Sequence, residues 1–241
     1  MADGVQLIPI NGIGEVVPGT DLTELLMAAL APAHPDGPAL QDGDVVVVTQ
    51  KIVSKAEGQL VAIDESDPAA KVALVEQESV RIVRRRGDLI ISETKHGFIC
   101  ANAGIDLSNV ELGTAALLPE DSDRSARRIR AGLRAKLGVD VGVIVSDTFG
   151  RTWRRGVTDV AIGCAGVAAV IDLKGTLDAN GRELVATEVC VADELASAAE
   201  LVMGKNRGVP AAIVRGVPAD WLRTASVQAE IIRPPGEDLF R

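Results

Sequence analysis

The residues best suited to chemistry follow a β-branched segment in the middle of the chain. Residues 141–145 form an apolar run, and Asp147, Thr148, Gly150 and Arg151 come shortly after it. A carboxylate and a hydroxyl are hard oxygen ligands of the kind that Mg²⁺ or Mn²⁺ prefers, and a guanidinium group suits phosphate or carboxylate oxygens. The segment therefore predicts a buried strand whose end carries metal ligands and an anion site. A strand end followed by a solvated basic turn is the alternative that these residues leave open.

A second candidate segment, residues 101–110, places polar side chains directly after another apolar run. Asp106 and Asn109 offer a carboxylate and an amide there. Two carboxylates at strand ends can share one divalent cation if the fold brings them together. Asp106 and Asp147 therefore form a candidate pair, and an ordinary Asp-containing turn is the simpler alternative.

Lysines follow the most convincing buried strand, residues 45–49. Gln50, Lys51 and Lys55 come next, and each lysine is a mobile point charge that suits a phosphate. The spacing of a Walker A loop is missing. Two glycine-containing segments, residues 11–16 and 204–210, permit close approach of the backbone to a ligand. Solvated lysines and plain turns are the alternatives.

Composition narrows the class of ligand. The formal net charge is −9, and aromatic residues make up only 2% of the 241 residues, with no Tyr. A general nucleic-acid binder needs a basic face, and a single-strand binder needs aromatic platforms for stacking. Basic clusters at residues 84–86, 127–130 and 151–155 stand out against the acidic background. We therefore expect an anionic small molecule as partner and no nucleic acid.

Cysteine usage and hydropathy indicate the compartment. Cys100, Cys164 and Cys190 are scattered, odd in number and without a CxxC pair. This pattern is typical of reduced core cysteines in a cytosolic protein, and it disfavours a zinc site or a catalytic thiol. No apolar run approaches the roughly 18 residues of a membrane span, and the N-terminus does not resemble a signal peptide. We expect a cytoplasmic protein with no membrane partner.

Periodicity and turn signals predict an α+β domain with a mixed sheet over residues 1–241, and no Rossmann or P-loop domain, because no G-x-G-x-x-G follows a strand. The helix predicted from Asp67 has Val72, Val75, Val80 and Val83 as its buried positions. His96 is predicted to be solvated in a polar turn. The predicted strands are residues 6–10, 45–49, 89–92, 98–101, 141–145 and 211–216, the helices are residues 21–30, 67–86, 123–137 and 191–203, and a loop covers residues 31–38.

Four motifs in register, at residues 54–58, 102–110, 146–151 and 191–194, together resemble the coenzyme F420-0:γ-glutamyl ligase family. The resemblance runs from Ile8 to Arg215 and more loosely to Phe240. The chain also resembles the ligase half of two-domain enzymes in which a flavin-binding, nitroreductase-like domain follows. One domain is expected here, and an N-terminal part of a longer two-domain protein is the alternative, which the last six residues would fit.

The resemblance implies a GTP-dependent ligase of coenzyme F420 biosynthesis. Such an enzyme adds L-glutamate to F420-0, with further γ-linked glutamates as an extension, through an acyl phosphate, and releases GDP and phosphate. It uses Mg²⁺ or Mn²⁺, and K⁺ as an additional cation. Two alternatives stay open: a metal-dependent phosphatase or nucleotide hydrolase using the same carboxylates, and a non-catalytic module that binds a nucleotide or a deazaflavin.

The resemblance also implies roles for individual residues. Asp106, Asp147 and Thr148 are the implied metal ligands, and Asp106, Asp147 and Arg151 are the candidate catalytic residues. Lys205 stands where family members can carry an acidic metal ligand. The implied nucleotide contacts are Ile13, Gly14, Glu15, Val16, Gln50, Lys51, Lys55, Asn109, Met203, Gly204, Lys205, Asn206, Arg207, Gly208 and Val209.

The resemblance and the composition both favour a homodimer. Residues 160–170 are rich in Gly and Ala and apolar, and the chain has few bulky core residues. Burial against a second copy would complete such a core, and two-fold dimers are the commonest soluble oligomers. We therefore expect a dimer with the active site near the subunit boundary.

Overall fold

The computed structural model describes residues 4–30 and 38–240. Most of the loop predicted for residues 31–38 lies outside these residues. The strands are β1 (Gln6–Pro9), β2 (Val45–Thr49), β3 (Leu60–Ala62), β4 (Ser79–Arg86), β5 (Leu89–Thr94), β6 (Ile99–Ala101), β7 (Thr114–Ala116), β8 (Gly142–Arg151), β9 (Arg154–Ala165), β10 (Ile171–Asp172), β11 (Glu188–Val189) and β12 (Ala211–Arg215). The helices are α1 (Leu22–Leu30), α2 (Gln50–Ala56), α3 (Pro68–Gln77), α4 (Ser122–Leu137), α5 (Val191–Met203) and α6 (Val227–Glu230).

The central sheet has five strands in the order β1-β12-β2-β8-β9. Strands β2 and β8 are parallel, and the other neighbouring pairs are antiparallel, so the sheet is mixed. Residues 45–48 and 143–145 are fully buried, as expected of Val- and Ile-rich strands covered on both faces. Helices α4 and α5 pack against this sheet. The predicted α+β fold with a mixed sheet is confirmed.

Local signals in the sequence account for the helix ends. Asp21 Oδ1 accepts the backbone N–H groups of Thr23 and Glu24 at the start of α1, and Asp121 Oδ1 accepts that of Arg124 at the start of α4. Gly138 ends α4 with a φ of +72°, a left-handed conformation that glycine adopts without steric cost. The helices predicted at residues 21–30, 123–137 and 191–203 are confirmed.

Strands β4, β5 and β6 form a smaller antiparallel sheet beside the central one. The strands predicted at residues 89–92 and 98–101 are confirmed, and they form a hairpin because β5 pairs with β6 across the turn at residues 95–97. The helix predicted to continue to residue 86 is wrong beyond Gln77. The segment that follows is rich in β-branched residues, and its backbone pairs with β5. Val75 is buried, but Val80 and Val83 are 68% and 40% exposed.

The strand predicted to end at residue 145 is also longer than expected. Strand β8 continues to Arg151 because β9 supplies backbone partners along its whole length. Asp147 and Thr148 therefore lie within a strand and do not follow it. Residues 50–56, which include Gln50, Lys51 and Lys55, form helix α2 immediately after β2.

His96 is not the solvated turn residue that the sequence predicts. Its ring is half-buried and stacks on Phe98 with 6.0 Å between ring centroids. Among the described residues its Nδ1 atom is buried without a hydrogen-bond partner. Burial lowers the pKa of His96 below its ordinary value, although the carbonyls of Pro119 and Glu120 oppose this shift.

The Gly/Ala-rich segment at residues 160–170 is buried within the single chain. Ala161, Ile162, Cys164 and Val167 are each at most 3% exposed. A Cβ atom at Gly163 would lie 2.3 Å from the carbonyl carbon of Ser122, so glycine permits the close approach of β9 to α4. This segment therefore needs no second copy to cover it, and the dimer itself stays a prediction.

The cysteines form no disulfide in the described part of the chain. Burial raises the thiol pKa of Cys100, Cys164 and Cys190 to about 12. All three are therefore protonated near neutral pH, which fits the predicted reduced core cysteines. Among the helices of residues 4–30 and 38–240, none combines the length and apolar character that crossing a membrane requires.

Candidate active site

An open pocket of about 480 Å³ lies where β2 passes into α2, beside the middle of β8. Besides β2, α2 and β8, five other parts of the chain contribute to it: the segment after β1, the segment after β6, strand β9, helix α5 and the loop after α5. Its lining residues are Ile13, Gly14, Glu15, Val16, Thr49, Gln50, Lys51, Ile52, Lys55, Asp106, Asn109, Ser146, Asp147, Thr148, Asp159, Glu200, Met203, Gly204, Lys205, Asn206, Gly208, Val209 and Pro210.

Helix α2 contributes two lysines on successive turns, and both are ion-paired. Lys51 Nζ lies 2.8 Å from Asp106 Oδ2 and donates a hydrogen bond of 2.8 Å to Ser108 Oγ. Lys55, which is 9% exposed, pairs with the exposed carboxylate of Glu15. These pairs join α2 to the segments after β6 and after β1. An entering phosphate group would have to compete with both carboxylates.

Gln50 is buried, and its amide is committed to the protein. Its Nε2 atom donates to Ser54 Oγ at 2.5 Å and to the Leu117 carbonyl at 2.8 Å. Asn109 has a left-handed backbone, with a φ of 54°, which asparagine tolerates better than most residues. Gln50 and Asn109, two of the predicted nucleotide contacts, both line the pocket. The hydrogen bonds of Gln50 show that its side chain also has a structural role.

Strands β8 and β9 supply the oxygen ligands. The backbone N–H of Thr148 donates to Asp147 Oδ1 at 2.8 Å, and Thr148 Oγ1 donates to Asp159 Oδ1 at 2.5 Å. Ser146 Oγ donates to the other oxygen of Asp159 at 3.2 Å. Thr148 and Asp159 are direct partners in the β8–β9 register, which explains why these groups meet.

The pocket gathers more negative charge than its lysines neutralise. Burial raises the pKa of Asp147 to about 7, and the carboxylates of Asp159 and Asp106 add to the increase, while the Thr148 amide and Lys205 oppose it. Burial and Asp159 also raise the pKa of Glu200. Burial acts in the same direction on Asp106, but hydrogen bonds from Lys51 and Ser108 outweigh it and lower the pKa of Asp106.

These side chains fit a hard divalent cation. No three His, Cys, Asp or Glu side chains of the described residues lie close enough to hold a metal ion unaided. Mg²⁺ does not require such a cage, because it commonly binds one or two carboxylates and completes its shell with water and substrate phosphates. Asp147 and Thr148 offer adjacent oxygens, and Asp106 is near enough to influence Asp147. A cation there would offset the repulsion among these carboxylates.

The loop after α5 forms another part of the pocket. Gly204 and Gly208 both have positive φ values, of 65° and 68°, which allow the chain to turn sharply twice. Lys205 is exposed, and its charge acts to lower the pKa of Asp147 and of Glu200. The side chain of Arg207 lies against Gly204, and Arg207 does not line the pocket.

The structure brings together all the candidate residues except Arg151 and Arg207. Arg151 is exposed at the end of the β8–β9 hairpin, where its Nη2 atom donates to the Arg155 carbonyl at 3.0 Å. Its catalytic role stays a prediction. Ser146, Asp159 and Glu200 also line the pocket, and the sequence alone gave none of them a role there. Asp159 is a single acid in an apolar strand, and its position became significant only when the hairpin register placed it opposite Thr148.

Known proteins resemble the chain in sequence. The relatives found are ligases, and the chain is an enzyme of this class. A sequence model of the F420-0:Gamma-glutamyl ligase family matches residues 12–216, and the chain belongs to this family.

Two relatives resemble the chain over nearly its whole length. It is 44% identical over 253 residues to a Coenzyme F420:L-glutamate ligase of Methanothermobacter thermautotrophicus, covering 99% of each chain. It is also 44% identical over 254 residues to the protein of that name from Methanopyrus kandleri, covering 98% of each. The corresponding protein of Methanocaldococcus jannaschii is 40% identical over 217 residues, which cover 84% of this chain and 86% of the relative.

Proposed function

We propose that this protein is a GTP-dependent ligase that adds L-glutamate to coenzyme F420-0 in F420 biosynthesis. One observation carries the proposal. In a chain of this family, Lys51, Asp106 and the pair Asp147 and Thr148 come from distant segments and line the same pocket. Such a pocket suits a nucleotide whose phosphates need both cationic donors and a metal.

The chemistry requires activation of a carboxylate, because a carboxylate does not condense with an amine in water unaided. In the proposed first step, a carboxylate oxygen of F420-0 attacks the γ-phosphorus of GTP. The bond from that phosphorus to the bridging oxygen breaks, and GDP leaves with the electron pair. In the second step, the glutamate amine attacks the carbonyl carbon of the acyl phosphate. The carbon–oxygen bond breaks, phosphate leaves, and the amine nitrogen loses a proton. Repetition would add further γ-linked glutamates.

The residues of the pocket would divide this work. Lys51 and Lys55 would exchange their carboxylate partners for phosphate oxygens and orient the γ-phosphoryl group. The loop at residues 203–209 and the segment at residues 13–16 would hold the rest of the nucleotide. Mg²⁺ or Mn²⁺ bound by Asp106, Asp147 and Thr148 would supply neutralisation of phosphate charge. Lys205 would leave the site with one acidic ligand fewer, and K⁺ is a further candidate cation.

The direct test mixes the purified protein with F420-0, GTP, L-glutamate and Mn²⁺ or Mg²⁺. Mass spectrometry should show an F420-0 product heavier by one glutamate residue, with release of GDP. Absence of this product with every metal would refute the proposal. Phosphate release that does not depend on F420-0 would instead favour a phosphatase or nucleotide hydrolase, and tight binding without turnover would favour a binding module.

A further inference from the structure

Asp159 is a buried carboxylate in the pocket, and among the described residues no Lys or Arg forms an ion pair with it. It is 2% exposed and accepts hydrogen bonds from two hydroxyl groups, those of Thr148 and Ser146. Burying a carboxylate is costly unless its hydrogen bonds compensate, so this arrangement requires an explanation beyond stability.

The hydrogen bond from Thr148 has a chemical consequence. A hydroxyl group binds a metal ion through an oxygen lone pair, so its proton must be directed elsewhere. A carboxylate accepts hydrogen bonds and does not donate them, and the Asp159 bond of 2.5 Å therefore fixes the direction of the Thr148 proton. Thr148 lines the pocket, so the remaining lone pairs of its Oγ1 atom are available to a cation bound there.

We propose that Asp159 is a positioning residue, which accepts the Thr148 proton and so presents the Thr148 hydroxyl to a divalent cation as an oriented oxygen ligand. This inference rests on the proposed function, because it assumes that a metal binds at Asp147 and Thr148. Outer hydrogen-bond partners of this kind orient ligands in many metal sites, and their removal costs about 10- to 100-fold in metal affinity.

Helix α5 holds the backbone of Asp159 independently of its carboxylate. Ser197 Oγ donates to the Asp159 carbonyl at 2.6 Å and lies 2.8 Å from Thr158 Oγ1. Ser197 does not line the pocket. Ser197→Ala therefore perturbs the same residue without touching the Asp159 carboxylate, and it is a matched control for structural disturbance.

The experiment measures Mn²⁺ binding to the full chain by electron paramagnetic resonance, with a non-hydrolysable GTP analogue present. It compares the wild type, Thr148→Val, Asp159→Ala and the double variant. Each single variant should weaken Mn²⁺ binding by about tenfold or more. Because Asp159 is proposed to act through Thr148, the double variant should bind no more weakly than Thr148→Val alone.

Additive losses in the double variant would overturn the proposal, as would unchanged Mn²⁺ affinity in Asp159→Ala. Asp159→Asn keeps an acceptor oxygen and should retain affinity within about threefold of the wild type, because the role requires an acceptor and not a charge. If Asp159→Asn lost as much Mn²⁺ affinity as Asp159→Ala, the claim that the role requires only an acceptor would be wrong. Ser197→Ala should bind Mn²⁺ like the wild type, and a loss equal to that of Asp159→Ala would show a merely structural role.

Circular dichroism and thermal unfolding report whether each variant is folded. Asp159→Leu, which keeps a branched side chain but has no acceptor oxygen, replaces Asp159→Ala in the cycle if the alanine variant does not fold. Ligation by the wild type, assayed in parallel, distinguishes a failure of the proposed function from a failure of the role proposed for Asp159. Absence of ligation would refute the proposed function, whereas ligation and Mn²⁺ binding with an additive cycle would refute only the role of Asp159.

Discussion

Asp147 combines burial with two neighbouring carboxylates, and the resulting pKa of about 7 marks it as a group whose charge the fold opposes. A protein that retains such a group gains little stability from it, so the group is better explained by a ligand. The sequence could indicate Asp147, because a carboxylate after a β-branched run is a local signal. It could not indicate Asp159 or Glu200, since their relation to Asp147 depends on the β8–β9 register and on where α5 packs.

We predict that Asp147→Asn lowers the ligation rate by at least about 100-fold while the fold is kept, because the change removes one charge at nearly constant shape. Its thermal unfolding midpoint should be no lower than that of the wild type, since a carboxylate opposed by burial is removed. Asp106→Asn should lose activity similarly. Asp88→Asn, at an exposed turn outside the pocket, is the matched control. Wild-type turnover by both pocket variants at saturating metal would exclude these residues from the mechanism.

His96 supplies a prediction about pH. Burial lowers its pKa in the folded protein, whereas the unfolded chain takes up a proton near the ordinary value of 6.5. The unfolded state therefore binds more protons just below this pH, and stability is lost as the pH falls from about 6.5 towards the lower folded pKa. Above about 6.5 the contribution is fully present.

Urea unfolding at about pH 7.5 and about pH 5.5 measures this loss. The variant His96→Phe keeps an aromatic ring for stacking on Phe98 but cannot titrate, so its free energy of unfolding should fall less between the two pH values than that of the wild type. An equal fall in both proteins would show that His96 does not contribute.

The sequence predicts helices and strands best where the signals that determine them are local. Strand β2 is a run of four valines, and α1 and α4 begin at aspartates that cap them. Prediction from the sequence fails where pairing with a distant segment determines the secondary structure. The local sequence of residues 79–86 is compatible with a helix, but these residues form a strand because they pair with β5. Strand β8 extends past residue 145 because it pairs with β9.

Asp123 joins three elements through one buried carboxylate. Its Oδ1 accepts the backbone N–H groups of Cys164 in β9 and Val227 in α6, at 2.8 Å and 2.9 Å. Its Oδ2 accepts that of Gln228 at 3.1 Å. Asp123→Ala would leave these groups without an acceptor, and we predict a loss of about 3 kcal/mol in the free energy of unfolding.

Urea denaturation measures this loss, and the chain offers a matched control. Asp178 also accepts two backbone N–H groups, those of Asn180 and Arg182, but in an exposed turn. Asp178→Ala should therefore cost less than about 1 kcal/mol, because water can replace the carboxylate. Equal losses in the two variants would show that burial does not determine the importance of Asp123.

Composition indicates which residue types build the core of the molecule, but not which segments the core covers. The core is built from Val, Leu, Ile and Ala, as the scarcity of aromatic residues required. Composition left open whether a second copy or the chain itself covers residues 160–170, and α4 and the rest of the chain bury them. The exposed apolar residues lie elsewhere, and only the folded structure could show which ones they are.

Two of these exposed regions could serve a dimer. Trp153 and Val157, in the β8–β9 hairpin, are 82% and 63% exposed. Leu89 and Ile99, on the outer face of the β4-β5-β6 sheet, are 45% and 44% exposed. A closed two-fold dimer would bury the same region of both copies. Trp153 and Val157 are more exposed than Leu89 and Ile99, and the hairpin also carries Arg151, which does not line the pocket of the single chain.

We therefore predict a homodimer that buries the hairpin. Light scattering at micromolar concentration should report about twice the chain mass of 25.1 kDa. Trp153→Glu should shift the protein to the monomer, because it places a charge in the buried interface, whereas Ile99→Glu should leave the dimer intact. A monomer in Ile99→Glu together with an intact dimer in Trp153→Glu would assign the interface to the β4-β5-β6 sheet. A clean monomer of the wild type with full ligase activity would contradict the dimer altogether.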